Sequence, residues 1–303
     1  MATLTFQWKI DFENEARIWI ENIMGEVEFH LRAGADSRGQ YHEEYVMRNN
    51  NTKFTGIDKD IEVFATRIKN EDIIMDMGCG STPKYGEEIS GGGRVNVVLV
   101  DPLAFFYNRI NEIYGYGKDK NRQCNFGLFE FISSFYNENY CDVILINNAL
   151  DHCIDPFKSI IECLYVLKMN GVMRLVHRRA EGVFEKYSGF HKWNLDYNEE
   201  NEFIIWNENC AVNISEQLFK IAEVKIQHSG ECTLRRDSYL TVEITKKKDF
   251  ELSQFKDLHQ EAIYLAKMCS GLMQKYADSS IEFEKMLQTY DSKDNLLSRR
   301  LLE

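Results

Sequence analysis

The 303 residues carry 44% hydrophobic and 28% charged side chains, the balance of a soluble globular protein long enough for one large domain with additions. No uninterrupted apolar run approaches the ~18 residues that span a bilayer, and Met1-Ala2-Thr3-Leu4-Thr5-Phe6 lacks a basic region followed by an apolar core, so neither a membrane span nor a secretion signal is expected. The net charge of −12 argues against a nucleic-acid partner, which calls for a basic face to neutralise phosphates, although Arg174, His177, Arg178 and Arg179 form one small basic cluster.

The eight cysteines, at 79, 124, 141, 153, 163, 210, 232 and 269, form no C-x-x-C pair. They are scattered among apolar residues, so the expectation is a reduced core, no metal and a cytoplasmic location.

In chain order, residues 11–31 predict an amphipathic helix, with Phe12, Trp19, Ile23, Val27 and Leu31 at helical spacing. Further helices are predicted from about Gln40 to Arg48 and from Asp58 to Ile68. The run Ile73-Ile74-Met75-Asp76-Met77-Gly78-Cys79-Gly80-Ser81-Thr82-Pro83 then reads as a short apolar strand entering a glycine turn. Two glycines one residue apart let the backbone bend tightly and let a ligand approach, since no Cβ intervenes. The NAD fingerprint asks for a third glycine where Pro83 stands. A second apolar strand, Val95 to Val100, ends at Asp101, 21 residues after Gly80, and Pro102 follows. A carboxylate at that position can accept hydrogen bonds from both hydroxyls of a ribose.

A helix from Leu103 to Tyr114 follows, stopped by Gly115 and Gly117, then a weakly marked third strand near Gln123 to Phe126. Strands four (142–147) and five (172–177) flank Leu150-Asp151-His152, Asp155-Pro156-Phe157 and the run Ile160 to Leu167. Phe203 to Trp206 predicts an extra strand, and 215–221 a helix. Strands six (223–228) and seven (239–245) are too close for a crossover helix, so they should be antiparallel. From Phe255 to Tyr276 apolar residues alternate at spacings of three and four, a heptad seam that Phe283, Met286 and Tyr290 continue. That seam fits either helices packing on their own domain or a coiled coil.

Taken together, Asp76-x-Gly78-x-Gly80, the acid Asp101, Tyr140-Cys141-Asp142-Val143, Leu150-Asp151-His152, Asp155-Pro156 and Lys168-Met169-Asn170-Gly171 resemble, in order and spacing, the class I S-adenosylmethionine (SAM)-dependent methyltransferases, type 11-like. The likeness spans roughly residues 60 to 180. It implies a Rossmann-like α/β sheet of seven strands in the order 3-2-1-4-5-7-6 with strand seven antiparallel. The domains expected are an N-terminal helical cap at 1–57, a SAM-binding domain at 58–248 and a C-terminal helical extension at 249–303. The cap reads equally as cover for a sheet edge or as a lid.

By the same resemblance the cofactor is SAM and its product S-adenosylhomocysteine. Gly78, Cys79 and Gly80 would pass under the methionine part, Asp76 would organise the turn, and Asp101 with Pro102 would hold the ribose. Leu128 and Phe129 would flank the adenine through their backbone; Leu128 replaces the family's acid there, so that side-chain contact is lost. Asn147 and Asn148 would face the sulfonium. His152, His191 and His177 are the candidate bases for an acceptor hydroxyl, and the segment Tyr187 to Asn194 is the candidate acceptor loop. The strand tips at 147–152 and 177–179 should converge with that loop. The expected acceptor is a small molecule or a carbohydrate, with self-association through the C-terminal helices. Two other classes stay open: a non-catalytic subunit of the same fold, and a nicotinamide oxidoreductase, against which Pro83 counts.

Overall fold

The structure, a computed structural model, describes residues 10–35, 42–55, 61–114, 123–229 and 238–294. Its strands are β1 (Ile73–Met77), β2 (Asn96–Asp101), β3 (Asn125–Phe126), β4 (Cys141–Asn147), β5 (Leu167–Arg178), β6 (Asn194–Tyr197), β7 (Phe203–Trp206), β8 (Ala211–Asn213), β9 (Ala222–Ser229) and β10 (Tyr239–Lys246). The helices are α1 (Phe12–Ala35), α2 (His42–Asn50), α3 (Glu62–Ala65), α4 (Ala104–Tyr114), α5 (Pro156–Val166), α6 (Glu181–Phe184), α7 (Ile214–Leu218) and α8 (Leu258–Asp294).

Seven strands make one sheet in the order β3-β2-β1-β4-β5-β10-β9. With β9 and β10 as the sixth and seventh strands, this is the predicted 3-2-1-4-5-7-6 order. The first five run parallel wherever their pairing is described, and β10 is antiparallel to both β5 and β9. The glycines at 115, 117 and 230 lie outside the described residues.

The chain divides into two compact units, taken here in turn. One comprises Ile20–Phe126 and Lys267–Glu303. Its β1 is buried over Ile74 to Met77, as a strand flanked on both faces must be. Ile23, Val27 and Leu31, four apart on α1, are fully buried. The helix expected over 58–68 is described only as the single turn α3.

In the same unit, α8 buries Met268, Leu272, Ser279, Phe283 and Leu287. Phe106 of α4 meets Tyr276 and Phe283 edge-on at 5.0 and 5.1 Å, and Arg109 donates to Glu284 at 3.0 Å. At Gly271 a Cβ would stand 2.5 Å from Ile20, so only glycine lets α8 come this close.

The buried stripe shares Leu272 and Phe283 with the predicted seam, whose Tyr276 packs on Phe106, while Met268, Ser279 and Leu287 lie beside it. Phe255 precedes the helix, whose first amides, at His259 and Gln260, donate to Asp257. Leu258 is exposed. A straight helix of this length drifts ~20° per heptad from a 3.5-residue repeat. A seam counted in heptads from Phe255 therefore coincides with the packed face only in part.

The other unit comprises Met1–Trp19 and Gly127–Ala266. Asp155 caps α5 by accepting from Lys158 N at 2.9 Å, with Pro156 in the first turn. β5 starts earlier than predicted, at Leu167, and takes in the left-handed Asn170. Lys246, fully buried on β10, donates to Asn139 and to the carbonyl of Leu167 at 2.9 Å each. Where a single extra strand was expected, β6, β7 and β8 form a three-stranded antiparallel sheet. The predicted helix 215–221 shortens to α7, capped by Asn213.

Candidate functional site

Two groups of side chains stand out, one in each unit. In the unit that holds β1 to β3, the glycine turn follows β1. Gly78 and Gly80 both adopt left-handed φ, 70° and 65°, which any Cβ would strain. Gly78 N donates to Val100 O at 2.8 Å, tying the turn to the end of β2. The Asp101 carboxylate accepts from Gly80 N at 3.1 Å through one oxygen and from Leu103 N at 2.8 Å through the other, closing the turn at Pro102. Burial pushes Asp101 up to about 6, against the pull of those two amides.

His30 of α1 lies against this turn. A Cβ at Gly80 would come within 2.9 Å of its Cε1. Its Nδ1 is 2.7 Å from Tyr45 Oη and 3.3 Å from Ser81 Oγ, and its ring sits 4.7 Å from that of Tyr107. Asp76 is buried on β1. Cys79 Sγ lies 3.3 Å from Cys124 Sγ; that hydrogen bond and burial push the Cys79 thiol well up, so it stays protonated. His30, Tyr45 and Tyr107 carried no motif in the sequence; only the apolar face of α1 hinted that His30 turns inward.

In the other unit, the carboxylate of Asp151 gathers three histidines. Its Oδ2 is 2.8 Å from His191 Nδ1 and 3.6 Å from His152 Nε2, and its Oδ1 is 3.7 Å from His177 Nδ1. His152 Nε2 and His191 Nδ1 are 3.2 Å apart. Glu181, at the start of α6, brings Oε1 to 4.0 Å from His191 Nδ1 and 3.5 Å from Arg178. The strand tips and loop named in the sequence therefore do come together around the three histidines.

The scaffold of this cluster is backbone held by indoles. Trp19 Nε1 donates to His152 O and Trp193 Nε1 to Cys153 O, each at 2.9 Å. Trp19 also stacks on Phe190 at 5.0 Å, and Lys192 N donates to Asp151 O. Asn194, fully buried, accepts from Val183 N and donates to Tyr187 Oη, fixing the far end of the loop. Trp193 thus anchors the loop rather than lining it.

The charges are set by burial and proximity. Asp151 has no exposed surface; burial pushes its pKa up, but His152, the hydrogen bond with His191, and His177 outweigh it and leave it at about 2. His177, 1% exposed, is lowered to about 4 by burial and stays neutral at pH 7. Glu181 is raised to about 7, first by burial and then by the charge of Asp151, against His191, Arg178 and a hydrogen bond from Asn148.

Of the other predicted residues, Asn148 sits left-handed at the end of β4, donates its amide to Val176 O and accepts from Arg178 N. Asn147, partly exposed, ends the same strand. Leu128 and Phe129 are buried at a 3-10 turn, where the neighbouring Glu130 accepts from Ile154 N and Asp155 N. Arg178 is engaged by Glu181 and Tyr239, and Arg179 by Asp196. Asp151 and Glu181 were not assigned from the sequence.

No helix among the described residues is long and apolar enough to cross a membrane. No protein-family model matches the chain, and no curated protein matches it in sequence. Among solved structures, the chain is similar to a SAM-dependent methyltransferase from Methanosarcina mazei, at 17% identity over 61% of this chain and 97% of that one, TM-score 0.38. It is similar to the Burkholderia thailandensis 1,6-didemethyltoxoflavin-N1-methyltransferase, with bound 1,6-didemethyltoxoflavin and S-adenosylhomocysteine, at 12% identity over 81% of this chain and 95% of that one, TM-score 0.41. A third is a SAM-dependent methyltransferase from Aquifex aeolicus, at 11% identity over 67% and 97%, TM-score 0.37.

Proposed function

We propose that this chain is a SAM-dependent methyltransferase acting on a small-molecule or carbohydrate acceptor, with S-adenosylhomocysteine as the product. The observation that carries the reading is the closure of the glycine turn on the acid that ends β2, with Gly78 and Gly80 left-handed and the Gly80 amide on Asp101 Oδ2. That acid uses one lone pair of each oxygen on backbone amides, which leaves capacity for two ribose hydroxyls. Thr82 Oγ1, buried beside the turn with no hydrogen-bond partner among the described residues, is a further polar atom that a ligand can satisfy. These features fit the cofactor.

When bound, SAM supplies an electrophilic methyl group. The backbone of Gly78, Cys79 and Gly80 would hold its methionine part, Asp76 would brace the turn, Asp101 with Pro102 would orient the ribose, Leu128 and Phe129 would flank the adenine, and Asn147 and Asn148 would flank the sulfonium. For a hydroxyl acceptor the proton goes to His191. Asp151 accepts from Nδ1–H and so leaves the lone pair on Nε2, the tautomer a base needs. His152 stands beside it, and His177, buried and neutral, serves to position Asp151. An amine acceptor needs only to arrive neutral. The seven cysteines described in the structure are free thiols, which supports a cytoplasmic setting.

Calorimetric titration tests this. SAM and S-adenosylhomocysteine are expected to bind, and NAD is not; absence of heat or thermal shift with SAM overturns the reading. We also propose that residues 249–303 mediate self-association, supported by the exposed Met273 and Ile281 on α8. A monomeric mass in light scattering would remove that part alone.

A further inference from the structure

We propose that Asp151, His152 and His191 form a binding site for a divalent transition-metal ion, with Glu181 placed as a fourth ligand. The geometry points to it. The three ligand atoms stand 2.8, 3.2 and 3.6 Å apart. Metal–nitrogen and metal–oxygen bonds of ~2.0–2.2 Å give ligand–ligand edges of ~3.0 Å for right-angle and ~3.4 Å for tetrahedral coordination. The triangle they form has a circumscribed radius of about 1.9 Å, so one point lies ~2.1 Å from all three atoms, just off their plane. A looser triangle could not be bridged by a single ion.

The hydrogen-bond roles favour the same answer. An imidazole nitrogen offers in its ring plane either one proton or one lone pair. His191 Nδ1 nevertheless lies within bonding distance of both a carboxylate oxygen and His152 Nε2. A cation at the common point lets all three atoms point lone pairs at it.

The surroundings add an independent observation. Asp151 Oδ1, both ring nitrogens of His177 and Glu181 Oε2 are buried with no hydrogen-bond partner among the described residues, and all belong to side chains packed against this cluster. Buried polar atoms without partners are uncommon. Around a metal they have places: Glu181 as the next ligand, and His177 behind Asp151 as its outer support. The backbone at 151–153 is already held by Lys192, Trp19 and Trp193, so the site is preformed. Two imidazoles and a carboxylate select Zn²⁺, Co²⁺, Fe²⁺ or Mn²⁺ over Mg²⁺ or Ca²⁺, which favour all-oxygen shells.

This departs from the expectation of no metal, which rested on cysteine spacing. It concerns the proposed proton-accepting cluster but does not depend on methyl transfer. A cation on Nδ1 places the His191 proton on Nε2, so the ring then binds metal instead of acting as a base.

The experiment is a Co²⁺ titration of the full, untagged chain after dialysis against a chelator, without SAM, read by visible absorption and calorimetry. One Co²⁺ per chain is expected, with a ligand-field band whose intensity tells four- from six-coordination, and Zn²⁺ should displace it. Asp151→Asn, His152→Ala and His191→Ala should each weaken binding by at least ~10-fold. Asp151 is fully buried, so its variant can fail to fold; the two histidines are partly exposed, and circular dichroism and melting check that their variants stay folded. No Co²⁺ uptake by the wild type, or unchanged uptake by folded His191→Ala, overturns the proposal. Either result leaves the SAM titration standing, and a failed SAM titration leaves this one readable.

Discussion

The glycine turn and the histidine cluster are built by opposite means. The turn is made of backbone: two left-handed glycines, amides at Gly78, Gly80 and Leu103, and one carboxylate that receives two of them. The cluster is made of side chains from four stretches of chain, around Asp151, His177, Glu181 and His191. A backbone site depends on dihedral freedom and on the spacing of strand ends. A side-chain site depends on how the chain returns. Substitutions should therefore act through conformation and affinity in the first region, and through chemistry in the second.

The largest effect is expected at the cluster. If His191 is the base, His191→Ala should lower turnover by ~10²–10⁴-fold, and the acidic limb of the pH–rate profile should vanish. If it only positions the acceptor, the loss is modest and the profile keeps its shape. That second outcome would break the contrast, since the cluster would then act through affinity as the turn does.

An intermediate effect is expected at Asp101. Asp101→Asn should weaken SAM by the ~1.5–3 kcal/mol of hydrogen bonds to a charged group, with turnover at saturation little changed. Because Asp101 is raised to about 6, wild-type affinity should fall as pH drops through 6 and the carboxylate protonates. Its contribution to stability has the opposite sign. A carboxylate raised in the folded state contributes stability fully present below its unfolded value near 4 and lost as pH rises through about 6. His177, lowered to about 4, opposes this: its contribution is present above the unfolded value near 6.5 and is lost as pH falls toward 4. A SAM affinity flat from pH 5 to pH 8 in ~single-unit steps would remove Asp101 from the cofactor.

The smallest effect is expected from Trp19→Phe, which keeps the stack on Phe190 and removes only the donor to His152 O. A loss of ~0.5–1.5 kcal/mol in stability is expected, read by urea denaturation. A much larger drop in turnover than in stability would mean that the backbone hold also sets the chemistry.

The same division explains what could be read from the sequence. The turn and the antiparallel last two strands were legible because each depends on local pattern: apolar runs ending in Asp76 and Asp101, glycines one residue apart, and a gap before β10 too short for a crossover; the order of the seven strands came from the family resemblance. His152, His177 and His191 were recognisable by residue type and by position near strand ends. Asp151, around which they gather, was in plain view within Leu150-Asp151-His152, yet nothing local distinguishes a buried hub from a solvated aspartate. Glu181 gave no signal and His30 only the hint of its helix face, since each matters through a partner 10 or 50 residues away. The packed stripe of α8 was legible only in part, at Leu272, Tyr276 and Phe283, because apolar spacing shows periodicity and not which face finds a partner.

The two indole bonds have a consequence for change over generations. Trp19 and Trp193 grip the carbonyls of residues 152 and 153, and every amino acid has a carbonyl. The anchor is therefore blind to the side chain it presents. Position 152 can exchange histidine for another residue without loosening its mooring, and the chemistry at this edge can be rewritten while the frame beneath it is inherited unchanged.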